Sequence, residues 1–451
     1  MPPHYNRPRL NASDANRKLL GAHPSRTRQQ QSRQLVSLLT TVFIIAIGPL
    51  FCSCSIMGLN RQITRMEQYG SVTIQVSPPP EGTAPTYALA WTASADGNLE
   101  SAGFRRLRND GLASFSLLTN RTYCVGAFTD ENGNGKYDVG EPAGCVTNVH
   151  PKAFGDPAAR SKILRFALVR KSDLPPGTVI EIPTTNDALG MVLEIAAGDL
   201  ASLDDPRFSS AVGSSGMWRP FDFLNQNATG IYFTEPYDPK RMPVALIYGI
   251  GGSPQDWSYF MDHFGHSHFQ LWFYHYPSGM RLGRIAEGLA ASLEVLKERY
   301  GFAQCDVVAH SMGGLVSDEA IREAVSEEGV DFIPKFVSIS TPWGGHKAAS
   351  LGVKYLKKPV PSWLDMEPDS DFLKSLYADP LPPGTRHDLI YGEIPTAPGV
   401  QGKDDGVVTV ESELDSRISK NASSVNHLPY SHVQILSQPE TVKQVFGFLE
   451  Q

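Results

Sequence analysis

DVVAHSMGGLVS, residues Asp306 to Ser317, is the stretch whose reading decides the fold. Asp306, Val307, Val308 and Ala309 make a β-branched, apolar run short enough for a buried strand. His310-Ser311-Met312-Gly313-Gly314 breaks that run, and Leu315–Ala324 reads as a helix. A serine on a strand-to-helix turn, with small residues two positions away on either side, is a nucleophile elbow. Ala309 and Gly313 are the small residues the tight turn requires. The turn lifts the Ser311 hydroxyl above the sheet and sets it near a helix N-terminus, where backbone N–H groups stabilise an oxyanion.

Working outward, Leu282, Ile285, Leu289, Leu293, Leu296 and Tyr300 recur at spacings of three and four before Gly301, so an amphipathic helix precedes the elbow strand. Phe269–Tyr276 (FQLWFYHY) is an aromatic-rich strand, and Gly230–Thr234 and Val244–Tyr248 read as neighbouring strands joined by a turn. Lys335–Ser340 and His387–Tyr391 are further strands. Strand–helix–strand–helix order gives a mostly parallel sheet with helices on both faces, over residues 178–451. Residues 347–385 carry no clear strand and read as a cap, with Ser370–Tyr377 helical.

A serine nucleophile needs a base, and the base needs an orienting carboxylate. Downstream of Ser311, Gly402-Lys403-Asp404-Asp405-Gly406-Val407-Val408 sets an acid on a glycine turn beside an apolar strand. Asp405 is chosen, with Asp404 as the alternative. The base is His432 in Tyr430-Ser431-His432-Val433, on a loop before the terminal helix Pro439–Leu449; His427 competes for the role. The loop Gly249-Ile250-Gly251-Gly252-Ser253-Pro254 lacks the endings of a phosphate or dinucleotide loop. Its role is the second half of an oxyanion hole, with the N–H groups of Ile250 and Met312 as donors. His310 and His346 read as site-lining. His263, His266 and His268 read as surface or packing residues and not as a zinc site.

Taken together, YGIGGSP, AHSMGG, STPWGG, DDGVV and SHVQIL resemble bacterial lipases and esterases of the α/β-hydrolase superfamily over about residues 228–451. Two departures are Tyr248-Gly249 where such enzymes carry His-Gly, and Ala309 at the first glycine of the elbow. The resemblance implies an α/β-hydrolase fold and two-step acyl transfer through an acyl-enzyme, with no cofactor for catalysis. The substrate class it implies is a carboxylic ester or lipid. A peptidase, thioesterase or acyltransferase on the same fold is the alternative, as is a non-catalytic calcium-binding surface protein.

Residues 70–170 have an all-β texture, with short strands at Ser71–Val76, Thr86–Thr92, Ala113–Leu118, Arg121–Phe128 and Ile163–Val169. They read as a small sandwich resembling prealbumin-like or Ig-like modules, followed by a linker at 171–177. Inside the module, Asp130–Glu141 (DENGNGKYDVGE) matches the calcium-loop pattern. Asp130, Asn132, Asn134, Lys136 (through its carbonyl), Asp138 and Glu141 are the expected ligands of a structural Ca²⁺. Cys124 and Cys145 flank the loop and are expected to pair as a disulfide. Cys305 reads as an isolated thiol.

The formal charge of −7 is uneven, with +6 on residues 1–33 and −13 on the rest. An acidic body argues against a nucleic-acid partner. Leu35–Phe51 (LVSLLTTVFIIAIGPLF) is uncharged and mostly apolar, and Phe51-Cys52-Ser53-Cys54 resembles a lipobox. Residues 1–54 are therefore read as a signal peptide or membrane anchor, with Cys54 the lipidated residue, and 55–69 as a linker. The expected location is the cell envelope, as a periplasm-facing or outer-membrane lipoprotein.

Overall fold

The computed structural model describes residues 58–80, 82–93, 99–156, 162–174, 190–329, 332–395 and 402–451. The expected anchor, with Cys54, lies outside them. Residues 57–451 form one compact unit. Among the described residues, no helix is long and apolar enough to cross a membrane.

The N-terminal part is built from nine strands: β1 (Tyr69–Val76), β2 (Thr86–Ala93), β3 (Leu99–Arg106), β4 (Leu112–Leu118), β5 (Tyr123–Thr129), β6 (Ala143–Val149), β7 (Lys152–Ala153), β8 (Leu164–Phe166) and β9 (Gly190–Leu193). One sheet runs β7-β1-β4-β9, with β8 also on β1, and the other runs β3-β2-β5-β6. Alternate residues of β1 and β4, including Val72, Ile74, Phe115 and Leu117, point into a shared core with Ala88, Ala90 and Val125 of the other sheet. That period of two is what a strand with one buried face requires. β9 falls within residues 178–451 yet pairs with β4 of the small sheet.

The second part is an eight-stranded sheet ordered β10-β11-β13-β12-β14-β15-β16-β17. Its strands are β10 (Ile195–Leu200), β11 (Thr229–Phe233), β12 (Met242–Ile247), β13 (Phe269–His275), β14 (Asp306–His310), β15 (Lys335–Ile339), β16 (Arg386–Gly392) and β17 (Ser424–Leu428). Only the β11–β13 pairing is antiparallel. The Gly230–Thr234 and Val244–Tyr248 segments are not neighbours: β13 lies between them. Every residue of β13 is buried. Covering both faces of so apolar a strand contributes about 2–3 kcal/mol per large side chain, which favours an interior place.

Helices α1 (Leu282–Tyr300) and α2 (Met312–Glu328) flank the elbow strand β14. α1 ends as expected on Gly301, at φ 70°, whose N–H closes the last turn on the Lys297 carbonyl at 2.8 Å. The cap region contains α3 (Lys347–Tyr355) and two shorter helices, Pro361–Met366 and Asp371–Leu376. α4 (Pro439–Leu449) closes the chain.

One expectation in the β-rich part is corrected. Cys124 and Cys145 are free thiols. Cys145 stands opposite Gly126, and the ladder is irregular between Tyr123 and Val125, so the two cysteines are offset diagonally. The Asp130–Glu141 loop is closed on its own donors. The Asp130 carboxylate accepts from the N–H groups of Gly133 (2.8 Å), Asn134 (3.1 Å) and Gly135 (3.0 Å). Glu141 accepts from those of Glu131 (2.8 Å) and Asp138 (2.9 Å), and Asp138 accepts from the amides of Asn132 and Asn134, each at 2.7 Å. Asn134 Oδ1 accepts from the Lys136 N–H at 2.8 Å. Among the described residues, no three or more His, Cys, Asp or Glu gather as a metal site. These bonds shape the turn that carries the expected ligands Asp130, Asn132, Asn134, Lys136, Asp138 and Glu141.

Candidate active site

β14 carries the chain up through Ala309 and His310 to Ser311, which turns at φ 54°, ψ −131° into α2. The Ser311 N–H is held by the Ile339 carbonyl at 2.8 Å, and its carbonyl accepts from Gly314 at 2.9 Å. Parallel pairing with β12 and β15 buries the strand, so only the turn at its C-terminal end reaches the surface of the sheet, where ligand sites of open α/β sheets lie.

The three expected residues meet. His432 Nε2 is 2.9 Å from Ser311 Oγ, and His432 Nδ1 is 2.5 Å from Asp405 Oδ2. Asp405 is fully buried, and its Oδ1 accepts from the N–H groups of Val407 (2.9 Å) and Val408 (2.7 Å). Burial alone would raise its pKa. The bond and charge of His432, with the two amides, outweigh this and hold the carboxyl below its usual range. The main chain also ties the pair, since the His432 N–H donates to the Asp405 carbonyl at 2.9 Å. The residues after Asp405 are not a strand: they bend into the short helix Val410–Glu413. The carboxylate of Asp404, the alternative acid, accepts from the Gly406 N–H at 3.0 Å, and its carbonyl accepts from the Ile394 N–H at 2.9 Å.

The other histidines separate cleanly. His427 is exposed on β17, with its ring 5.1 Å from Tyr391. His310 Nε2 bonds the His432 carbonyl at 2.8 Å; burial, then the neighbouring His432, push its pKa down to about 3, so it is a neutral support. His346 Nε2 bonds the Val407 carbonyl at 3.0 Å, and burial lowers its pKa. His263 and His266 bond carbonyls of Tyr259 and Met261, and His268 pairs with Glu450.

In the glycine loop, Gly251 donates to Ser278 Oγ (2.9 Å) and Gly252 to the Gly249 carbonyl (3.2 Å), and Ile250 lines the pocket beside Ser311. Met312 opens α2, and the first N–H groups of a helix have no partner within it. Tyr248, at the histidine position of the His-Gly pair, is buried; its hydroxyl donates to the Tyr276 carbonyl (2.5 Å) and accepts from the Tyr276 N–H (2.8 Å). This anchors the loop entrance as a packing element. The pocket above Ser311 holds about 440 Å³ and is walled by apolar side chains, among them Met217, Trp363, Met366 and Leu436.

Sequence reasoning missed Glu413. It is 1% exposed, and its Oε1 accepts from the Gly392 N–H at 3.2 Å. Burial, then the charge of Asp405, push its pKa up to about 9, so it stands as a neutral acid beside the ionised one. A lone glutamate in VESELDS carries no motif that signals this.

Residues 281–450 match the family described as "Alpha/beta hydrolase of unknown function (DUF915)". No curated protein matches the chain in sequence. Solved structures similar to it include the lin2722 product of Listeria innocua, at 20% identity over 47% of this chain and 94% of that one, TM-score 0.37. The mature lipase BlEst2 of Bacillus licheniformis is 17% identical over 49% of this chain and 97% of its own, TM-score 0.40. A putative aryl esterase from Burkholderia cenocepacia is 15% identical over 47% and 91%, TM-score 0.31. The chain has the α/β-hydrolase fold, preceded by a strand-rich region.

Proposed function

We propose that this protein is a serine hydrolase that cleaves carboxylic esters through an acyl-enzyme. The observation that carries the reading is the unbroken hydrogen-bonded series from Asp405 through His432 to Ser311 at the base of an apolar pocket. His432 Nε2 takes the Ser311 proton as Oγ attacks the ester carbonyl, and then gives it to the leaving alcohol. Asp405 accepts from Nδ1–H, which fixes the imidazole tautomer and stabilises the imidazolium. The N–H groups of Ile250 and Met312 are the donors for the tetrahedral oxyanion. Water, activated by the same histidine, then hydrolyses the acyl-enzyme. The pocket walls suit an apolar acyl group. In this reading the segment around Cys54 holds the enzyme at a membrane.

Hydrolysis of a short, water-soluble chromogenic ester tests it. Ser311→Ala and His432→Ala are expected to lower kcat by roughly 10⁴–10⁶-fold, and Asp405→Asn by about 10⁴-fold. Equal rates for wild type and Ser311→Ala would remove the reading.

A further inference from the structure

The mouth of the pocket is bordered by large apolar side chains that point into solvent. Val407 and Val433 line the pocket and are 53% and 68% exposed. α3 continues that border. Ala348 lines the pocket, and Leu351 and Tyr355 follow it at i+3 and i+7, on the same face of the helix, 57% and 73% exposed. Four of the nine most exposed large apolar residues among those described therefore sit on this one border.

The same segment is basic in an acidic protein. Lys347, Lys354, Lys357 and Lys358 fall between His346 and Val360 with no Asp or Glu among them, while the chain beyond residue 33 carries −13. Lys354 and Lys357 are exposed, and the Lys354 ammonium lies 5.4 Å above the Tyr355 ring, which keeps charge and apolar surface on one side. Lys347 and Lys358 face Glu411 at 4.0 Å and Glu67 at 3.0 Å, at the two ends of the patch. A helix with exposed leucine and aromatic residues flanked by lysines has the composition of one that lies in a membrane interface.

We propose that α3, with Val407 and Val433, seats on an anionic phospholipid surface and presents the mouth of the pocket to it. Lysines draw the face to the negatively charged surface, and Leu351 and Tyr355 insert among the headgroups. An ester then passes from the lipid phase to Ser311 without crossing water, which makes the substrate class lipid esters with apolar acyl chains. This rests on the ester-hydrolase reading, but the docking itself does not need the chemistry.

Residues 57–451, a compact unit free of the N-terminal apolar segment, and carrying Ser311→Ala so that no lipid is consumed, are floated with vesicles of phosphatidylcholine alone or with phosphatidylglycerol. Binding is expected to the anionic vesicles and at least tenfold less to the neutral ones. Leu351→Asp with Tyr355→Asp is expected to abolish it, and Lys354→Glu with Lys357→Glu to remove the anionic preference. With Ser311 intact, the Leu351→Asp/Tyr355→Asp protein is expected to hydrolyse a water-soluble ester within twofold of wild type, which shows that it is folded. No vesicle binding by the parent, or equal binding by the aspartate pair, overturns the proposal. Self-association that the aspartate pair abolishes, without vesicle binding, assigns the face to a second copy and also overturns it. Vesicle binding with no ester hydrolysis leaves the docking intact and defeats the catalytic reading instead.

Discussion

Ser311 is held at φ 54°, in the region that side chains other than glycine avoid, at a cost of about 1–3 kcal/mol. Close packing enforces it. A Cβ on Gly313 would lie 2.5 Å from the Tyr248 carbonyl and 2.6 Å from that of Ile247, and backbone cannot yield. Gly313→Ala is therefore expected to lower kcat/KM at least tenfold and to cost about 1–3 kcal/mol, read by ester kinetics and urea unfolding. Glu413 gives a pH prediction. Its folded pKa of about 9 lies above the ordinary 4.5, so the folded state binds the extra proton and this group's contribution to stability falls as pH rises between those values. Glu413→Gln removes that dependence. Its stability relative to wild type should be greater at pH 8 than at pH 5 by urea denaturation, and an equal difference at both pH values would show Glu413 to be ionised. Ser311, Asp405 and His432 were legible because the elbow fixes one residue and chain order constrains the other two. Glu413 was not, because its meaning comes from burial against Asp405 and Gly392 in space.

Elements hold these residues through contacts that local sequence does not encode. α1 begins at Leu282 with no capping side chain of its own at Arg281. The cap comes from Asp365, in the region 347–385, whose Oδ2 accepts from the Leu282 N–H at 2.7 Å while Oδ1 pairs with Arg281 at 2.8 Å. Asp365→Ala leaves a helix end and a guanidinium without their partner and is expected to cost about 2–4 kcal/mol in chemical unfolding. The strands around the elbow were legible from period and burial, since β13, β14 and β15 are apolar runs with no competing pattern. β3 and β17 were missed: each exposes much of its length, so the apolar signal is diluted. The order β11-β13-β12 was misread because adjacency in sequence was taken for adjacency in the sheet, and only packing of an all-buried strand decides that.

At the scale of the molecule, the strand-rich part and the hydrolase part share one core. Met66, Leu112, Phe154 and Leu193 belong to the same buried cluster as Phe221, Ile231 and the central sheet. Gln75 bonds Glu298 at 2.8 Å, and Arg165 pairs with Glu294 at 2.6 Å, across the same junction. The linker expected at 171–177 thus joins parts that are packed together, which composition cannot reveal. Loss of ester hydrolysis and loss of tryptophan fluorescence are expected to coincide in one thermal transition. Phe154→Ala, which removes a ring 6.3 Å from Phe221, should lower that transition for both probes together.

The most direct test of the central claim is labelling of residues 57–451 with a fluorophosphonate probe, followed by peptide mapping. A single adduct on Ser311, absent in Ser311→Ala and slowed in Asp405→Asn, is the result expected of an activated nucleophile. A folded wild type that takes no label, or takes it on another serine, would contradict the account.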